Sequence, residues 1–151
     1  MSDLEKCLAS AQRSLSMREY SKLQIETKLK NKGFDINTIE NVLSKLQEEG
    51  FQSDDRYTKE YIIYRQNNGY SSKKITYELK LNGIDTEIIN KNFYNFKDDF
   101  DVLYNLAKRK ILDYKFDDQK KMLKYVNFFK SRGFDNNTIL KVINILKNHE
   151  K

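Results

Sequence analysis

One histidine, one cysteine and three aspartate pairs are the residues of this chain whose types invite a catalytic or metal-binding reading. His149 stands third from the end of the sequence, where helices fray, and a catalytic role is not expected of it. Cys7 has no second cysteine to pair with, which excludes an internal disulfide or a cysteine-built zinc site and fits a reducing compartment. It reads as a small apolar residue on the first helix. Asp54-Asp55, Asp98-Asp99 and Asp117-Asp118 have the oxygen ligands a divalent cation takes. Each pair also falls at a helix start, where carboxylates favour the N-terminal end, and capping is the expected role. The glycines (Gly33, Gly50, Gly69, Gly83, Gly133) come one at a time after helical patterns and build no phosphate-cradling loop. No metal, no cofactor and no enzymatic activity are expected.

The chemistry that does stand out is charge. Residues 1–50 carry eight Lys and Arg against eight Asp and Glu, and residues 51–100 repeat that balance. Residues 101–151 carry twelve against six, so the whole net charge of +6 belongs to the last third. There Lys108, Arg109, Lys110, Lys115, Lys120, Lys121, Lys124, Lys130 and Arg132 fall on two predicted helices and the turn between them. Such a cluster keeps a helical surface soluble, and it also suits an anionic partner, either nucleic acid or an acidic protein surface. Tyr57, Tyr61, Tyr64, Tyr70 and Tyr77 have faces on which bases stack, but helical spacing makes core or inter-repeat packing their expected role.

The elements that must position these residues repeat every fifty positions. Lys32-Gly33-Phe34-Asp35 returns as Asn82-Gly83-Ile84-Asp85 and as Arg132-Gly133-Phe134-Asp135. Ile39, Ile89 and Ile139 align downstream without a gap, as do Ile25, Ile75 and Tyr125 upstream. In each copy an apolar stripe runs into a glycine, which enters the left-handed conformation that ends a helix at least cost. The aspartate two residues on is placed to accept from the free amides of the next helix. The apolar residue before it pairs with one at the fourth helical position, a hydrophobic staple. A fixed period of this length signals an array of stacked supersecondary units.

Taken in order, the spacing predicts a first helix on Leu4, Leu8, Ala11 and Leu15, ending near Arg18. Ser21 and Gln24 predict a capping box for the second, which runs to Gly33; the third runs from Asp35 to Gly50. The fourth opens at Asp54-Asp55 and reaches Arg65, the fifth follows Gly69-Tyr70-Ser71 to Gly83, and the sixth carries Ile88, Ile89, Phe93 and Phe96. Phe100 to Ile111 outline a seventh helix, a turn near Phe116-Asp117-Asp118 begins an eighth with Met122, Val126 and Phe129 on one face, and a ninth runs from Asp135 to about Asn148. No stretch alternates with period two. The expected fold is all-α, a tandem array of three three-helix repeats (1–50, 51–98 and 99–151), elongated or curved. No apolar run has membrane-spanning length and no signal peptide is recognisable, so a soluble, cytoplasmic monomer is expected.

Along nearly its whole length the chain resembles the RecX family of bacterial recombination regulators. Arg18-x-x-Ser21-x-x-Gln24-Ile25-x-x-Lys28-Leu29-x-x-Lys32-Gly33-Phe34 is similar to that family's opening signature, with Gln24 and Ile25 in place of the usual Glu and Leu. Asp54-Asp55-x-Tyr57, Tyr61-x-x-x-Arg65 and Gly69-Tyr70-Ser71 resemble its best-marked segment, and Arg132-Gly133-Phe134 continues the likeness. The resemblance implies a protein that lodges in the groove of the RecA–single-stranded-DNA filament and blocks its extension or promotes its disassembly. ATP hydrolysis, strand exchange and co-protease activity would fall; some similar proteins also contact DNA directly. It carries no catalytic residues. Arg18 and Arg65 match family positions, and each either contacts the partner or pairs with a neighbouring carboxylate. Two other readings stay open: a sequence-independent DNA-binding helical protein, and a helical scaffold for an unrelated protein partner.

Overall fold

The computed structural model describes residues 1–111 and 118–149. Among them the chain is all-α, with nine helices: α1 (Asp3–Met17), α2 (Lys22–Asn31), α3 (Ile36–Glu48), α4 (Asp54–Asn67), α5 (Ser72–Leu81), α6 (Thr86–Lys91), α7 (Asp99–Lys110), α8 (Gln119–Ser131) and α9 (Asn136–His149). Contacts gather them into two compact units, one of 1–61 and 78–93, the other of 62–77 and 94–151.

In the first unit α1, α2 and α3 pack on one another. Their apolar stripes meet in a core of Cys7, Ala11, Ile25, Leu29, Ile39, Val42, Leu43 and Leu46, with Tyr20 and Phe34 at its edge. Cys7 is fully buried, the place expected of a small apolar side chain, whereas Leu4 is half exposed. In the second unit α7 and α8 pack on α9 around Leu103, Leu106, Phe129, Phe134, Ile139, Val142, Ile143 and Leu146.

The repeated glycines occupy equivalent corners. Gly33, Gly83 and Gly133 have φ of +93°, +82° and +96°. Each N–H donates to the carbonyl three residues back (Lys30, Lys80, Lys130). The following amides of Phe34, Ile84 and Phe134 donate to Leu29, Leu79 and Phe129. This is the Schellman closure, which satisfies carbonyls a helix end would otherwise leave open. The next helix starts on aspartate: Asp35 Oδ1 accepts from Thr38 N at 2.9 Å and Asp135 Oδ1 from Thr138 N at 2.8 Å. Asp85 departs from the expectation, standing at the N-cap of α6 without a side-chain bond. The predicted capping box of α2 is present, Ser21 N to Gln24 Oε1 at 3.0 Å and Gln24 N to Ser21 Oγ at 3.1 Å.

The sixth helix is shorter than its stripe predicts. It stops at Lys91, and Phe93–Asn95 form a 3-10 turn that leaves Phe93 exposed. The cause is Asn92, fully buried, whose amide nitrogen donates to Ile88 O at 2.8 Å and Asp55 Oδ1 at 2.9 Å. Asparagine competes with backbone partners in this way and favours helix ends.

Two corners are also packing surfaces. A Cβ on Gly83 would stand 2.8 Å from Leu23 Cβ, and one on Gly133 2.8 Å from Lys74 Cβ, whereas one on Gly33 would meet nothing within 4 Å. Gly33→Ala should therefore cost about 1–2 kcal/mol for the left-handed backbone alone. Gly83→Ala should cost about 1–3 kcal/mol more from overpacking, a difference that urea titration of the two variants reads directly. Burial, then the Asp35 charge, raises the Cys7 thiol above its ordinary 9.0, and burial raises the Tyr57 hydroxyl above 10.0. Both groups lend stability that is complete below those values and lost as pH climbs through the raised ones. The melting temperature should fall from about pH 9 upward, and less steeply in Cys7→Ala.

Candidate functional site

The aspartate pairs are used inside the fold. Asp54 Oδ1 accepts from Lys22 N at 2.8 Å and Gln52 Nε2 at 3.0 Å, closing the start of α2 instead of its own helix. Asp99 does the same for α5, accepting from Ser72 N at 2.8 Å and Ser72 Oγ at 3.0 Å. Asp55 accepts from Asn92 and pairs with Lys59 at 3.2 Å. The Asn92 bond, aided by Lys59 and Lys91, holds its carboxyl below the usual range. Asp98 bonds Phe100 N, and Asp118 bonds the amides of Lys120 and Lys121. Asp117 lies outside the described residues. Among those described, no three His, Cys, Asp or Glu side chains gather where they could hold a metal ion.

The basic cluster of the last third divides into two kinds of residue. Lys120, Lys121 and Lys124 stand exposed on one face of α8, at the i, i+1, i+4 spacing that faces one way. Lys108, Arg109 and Lys110 are exposed in the last turn of α7, where cations favour the helix C-terminus. Lys108 Nζ lies 5.1 Å from the Tyr104 ring centroid, and Arg109 reaches toward Asn67 O at 3.5 Å. Lys130 is exposed, and Lys115 lies outside the described residues.

Arg132 belongs to the other kind. Its guanidinium lies 4.2 Å from the Tyr70 centroid and 4.8 Å from that of Phe128, and Nη1 bonds Asn68 O. Arg65 lies 3.5 Å from the same Tyr70 ring, with Lys74 Nζ at 5.6 Å, while Lys110 Nζ is 5.3 Å from Phe128. A row of alternating cations and rings results, Lys110–Phe128–Arg132–Tyr70–Arg65, held by quadrupole attraction. Ser71 N donates to Arg132 O at 3.0 Å and Lys74 Nζ to Ser131 O at 2.7 Å, tying the start of α5 to the end of α8. The sequence reading missed Lys74 and Phe128. The available signal was Lys74 at the position where Gln24 completes the first repeat's capping box.

Arg18, exposed, lies 3.6 Å from the Tyr20 centroid and donates to Glu19 O at 2.9 Å, with Lys28 Nζ 5.2 Å from the same ring. Thus Arg18 and Arg65 both sit on the tyrosine that precedes the second helix of a triplet. Of the tyrosines, Tyr57 is buried, stacked on Tyr61 at 5.5 Å, and its hydroxyl accepts from Asn82 Nδ2 at 3.0 Å and Gln24 Nε2 at 3.3 Å. Tyr70 is occupied by its guanidinium neighbours; Tyr64 and Tyr77 are exposed.

A family model described as RecX, first three-helix domain, matches residues 7–46, and one described as RecX, second three-helix domain, matches residues 53–91. "Regulatory protein RecX" of Legionella pneumophila (strain Corby) is 37% identical over 149 residues, 95% of this chain and 97% of that protein. The chain belongs to the RecX family. "Regulatory protein RecX" of Haemophilus ducreyi is 33% identical over 81% of this chain and 80% of its own length. RecX from Lactobacillus salivarius, a crystal structure, shares the fold at TM-score 0.70 and 21% identity, covering 97% of both chains. These RecX relatives are named as regulatory proteins and not as enzymes. No helix among the described residues is long and apolar enough to cross a membrane.

The two kinds of cation should separate in stability. Arg132→Ala removes two ring contacts and a charged hydrogen bond and should cost about 1–3 kcal/mol. Lys124→Ala, at an exposed position, should stay within about 0.5 kcal/mol of the parent; guanidinium titration monitored by circular dichroism compares them.

Proposed function

We propose that this chain is a regulator, mainly an inhibitor, of the RecA recombinase. It binds the groove of the RecA–single-stranded-DNA filament and blocks its extension or promotes its disassembly, lowering ATPase, strand exchange and co-protease activity. The observation that carries this reading is 37% identity to a named regulatory protein RecX across 95% of the chain. In this reading the three repeats, 1–50, 51–98 and 99–151, act as successive docking modules of one cytoplasmic monomer. Lys120, Lys121 and Lys124 supply the main electrostatic contact, because they are exposed on a common face of α8. Lys108, Arg109 and Lys130 flank them. Arg65 and Arg132 support that surface through the ring row and act on the partner indirectly.

The exposed lysines also favour a second reading, in which the third repeat binds the single strand itself and the effect on RecA is secondary. If about four of these cations neutralised phosphates, log affinity for oligothymidylate would fall with log salt at a slope near −3; a protein–protein contact would depend on salt less steeply.

RecA ATPase on single-stranded DNA, titrated with this protein, tests the leading reading. Inhibition at substoichiometric ratios is expected, and an unchanged ATPase rate would sink it. Reversing Lys120, Lys121 and Lys124 to glutamate should weaken inhibition by roughly tenfold or more, since each tenfold corresponds to about 1.4 kcal/mol of binding. Undiminished inhibition would remove those residues from the contact.

A further inference from the structure

The basic face of α8 is not the only surface that calls for an acidic counterpart. In the first unit, α2 presents Leu23, Thr27 and Lys28 to an open groove of about 500 Å³, which Arg18, Tyr20 and Leu81 also line. Two cations share the Tyr20 ring there, Arg18 at 3.6 Å and Lys28 at 5.2 Å from its centroid. Both charges stand within 5.2 Å of one ring centroid, so an anion entering the groove meets a doubly positive rim. Among the described residues, the groove lining contains no carboxylate. Neighbouring acids have partners of their own, Glu26 with Lys30 at 2.9 Å and Glu19 with Arg56. Beside the cations stand two bare aliphatic side chains, Leu23 at 42% exposure and Leu81 at 62%.

This pairing discriminates between anions. A phosphodiester strand would meet Arg18 and Lys28 but would leave the leucines in water, whereas a peptide carries carboxylate and aliphatic groups on adjacent residues. We infer that the groove docks an extended acidic segment of a protein partner, an aliphatic side chain seated between Leu23 and Leu81 and a carboxylate bridging Arg18 and Lys28. The site lies in the first unit, on residues from two stretches (1–50 and 51–100) that each balance eight cations with eight acids, and goes beyond the contact assigned to α8. It requires an acidic–aliphatic segment and does not depend on which protein supplies it.

Amide proton–nitrogen correlation spectra of the full chain test this, with a short acetylated and amidated peptide of alternating aspartate and leucine as the probe. Saturable shifts at Thr27, Lys28, Asn31, Leu81 and Asn82 are expected, and none with the peptide in which asparagine replaces aspartate. Leu81→Lys and Lys28→Glu, both at partly or fully exposed positions, should each weaken the probe by roughly tenfold, the scale of one lost charge-assisted or apolar contact. Equal shifts with the asparagine peptide, shifts confined to α8, or the same pattern from oligothymidylate would each overturn the inference. RecA inhibition without groove shifts would overturn it and leave the filament reading standing; groove shifts without RecA inhibition would do the reverse.

Discussion

A helix must dispose of its last carbonyls before the chain can turn, and here that constraint is met by one device. A glycine at positive φ lets two successive amides, its own and that of the apolar residue after it, fold back onto the helix just completed. Because Phe34 meets Leu29, Ile84 meets Leu79 and Phe134 meets Phe129 in the same way, three helix pairs share one geometry. Everything else hangs on those corners: the cores beside them, the surfaces that receive Gly83 and Gly133, and the side chains placed outward between them.

Corners and core were legible from the sequence because they are local. A glycine, an aspartate two positions later and a staple all lie within one heptad or so, and a period of fifty makes each copy evidence for the others. The end of the sixth helix was not legible. Phe93 and Phe96 continue the apolar spacing, but Asn92 draws its amide from Ile88 and from Asp55, a residue 37 positions away. Periodicity has no access to a contact of that range.

The same distinction divides the candidate site. That Lys120, Lys121 and Lys124 would share a face follows from helical geometry alone. That Arg132 would lie on Tyr70, a ring supplied by the preceding repeat, does not; nor does the second guanidinium, from Arg65, on that ring. Charge counting weighed Arg132 and Lys124 alike. One is half buried among aromatic rings and the other exposed, so equal formal charge conceals unequal freedom to meet a partner. Arg18 and Arg65, similarly, were legible as marked positions, while the tyrosine beneath each became visible only with the chain folded.

The link between Ser71 and Arg132 bears on how the chain comes into being. In the first repeat, Ser21 N finds its acceptor three residues away in Gln24, while Lys22 N waits for Asp54 Oδ1, 32 residues on. The second repeat has Lys74 at that place, and Ser71 N finds its acceptor only at Arg132 O. A nascent chain leaving the ribosome would carry α5 with one amide unanswered until some sixty further residues had emerged. The start of α2 is closed once residue 54 has been made, whereas the start of α5 waits on the end of α8.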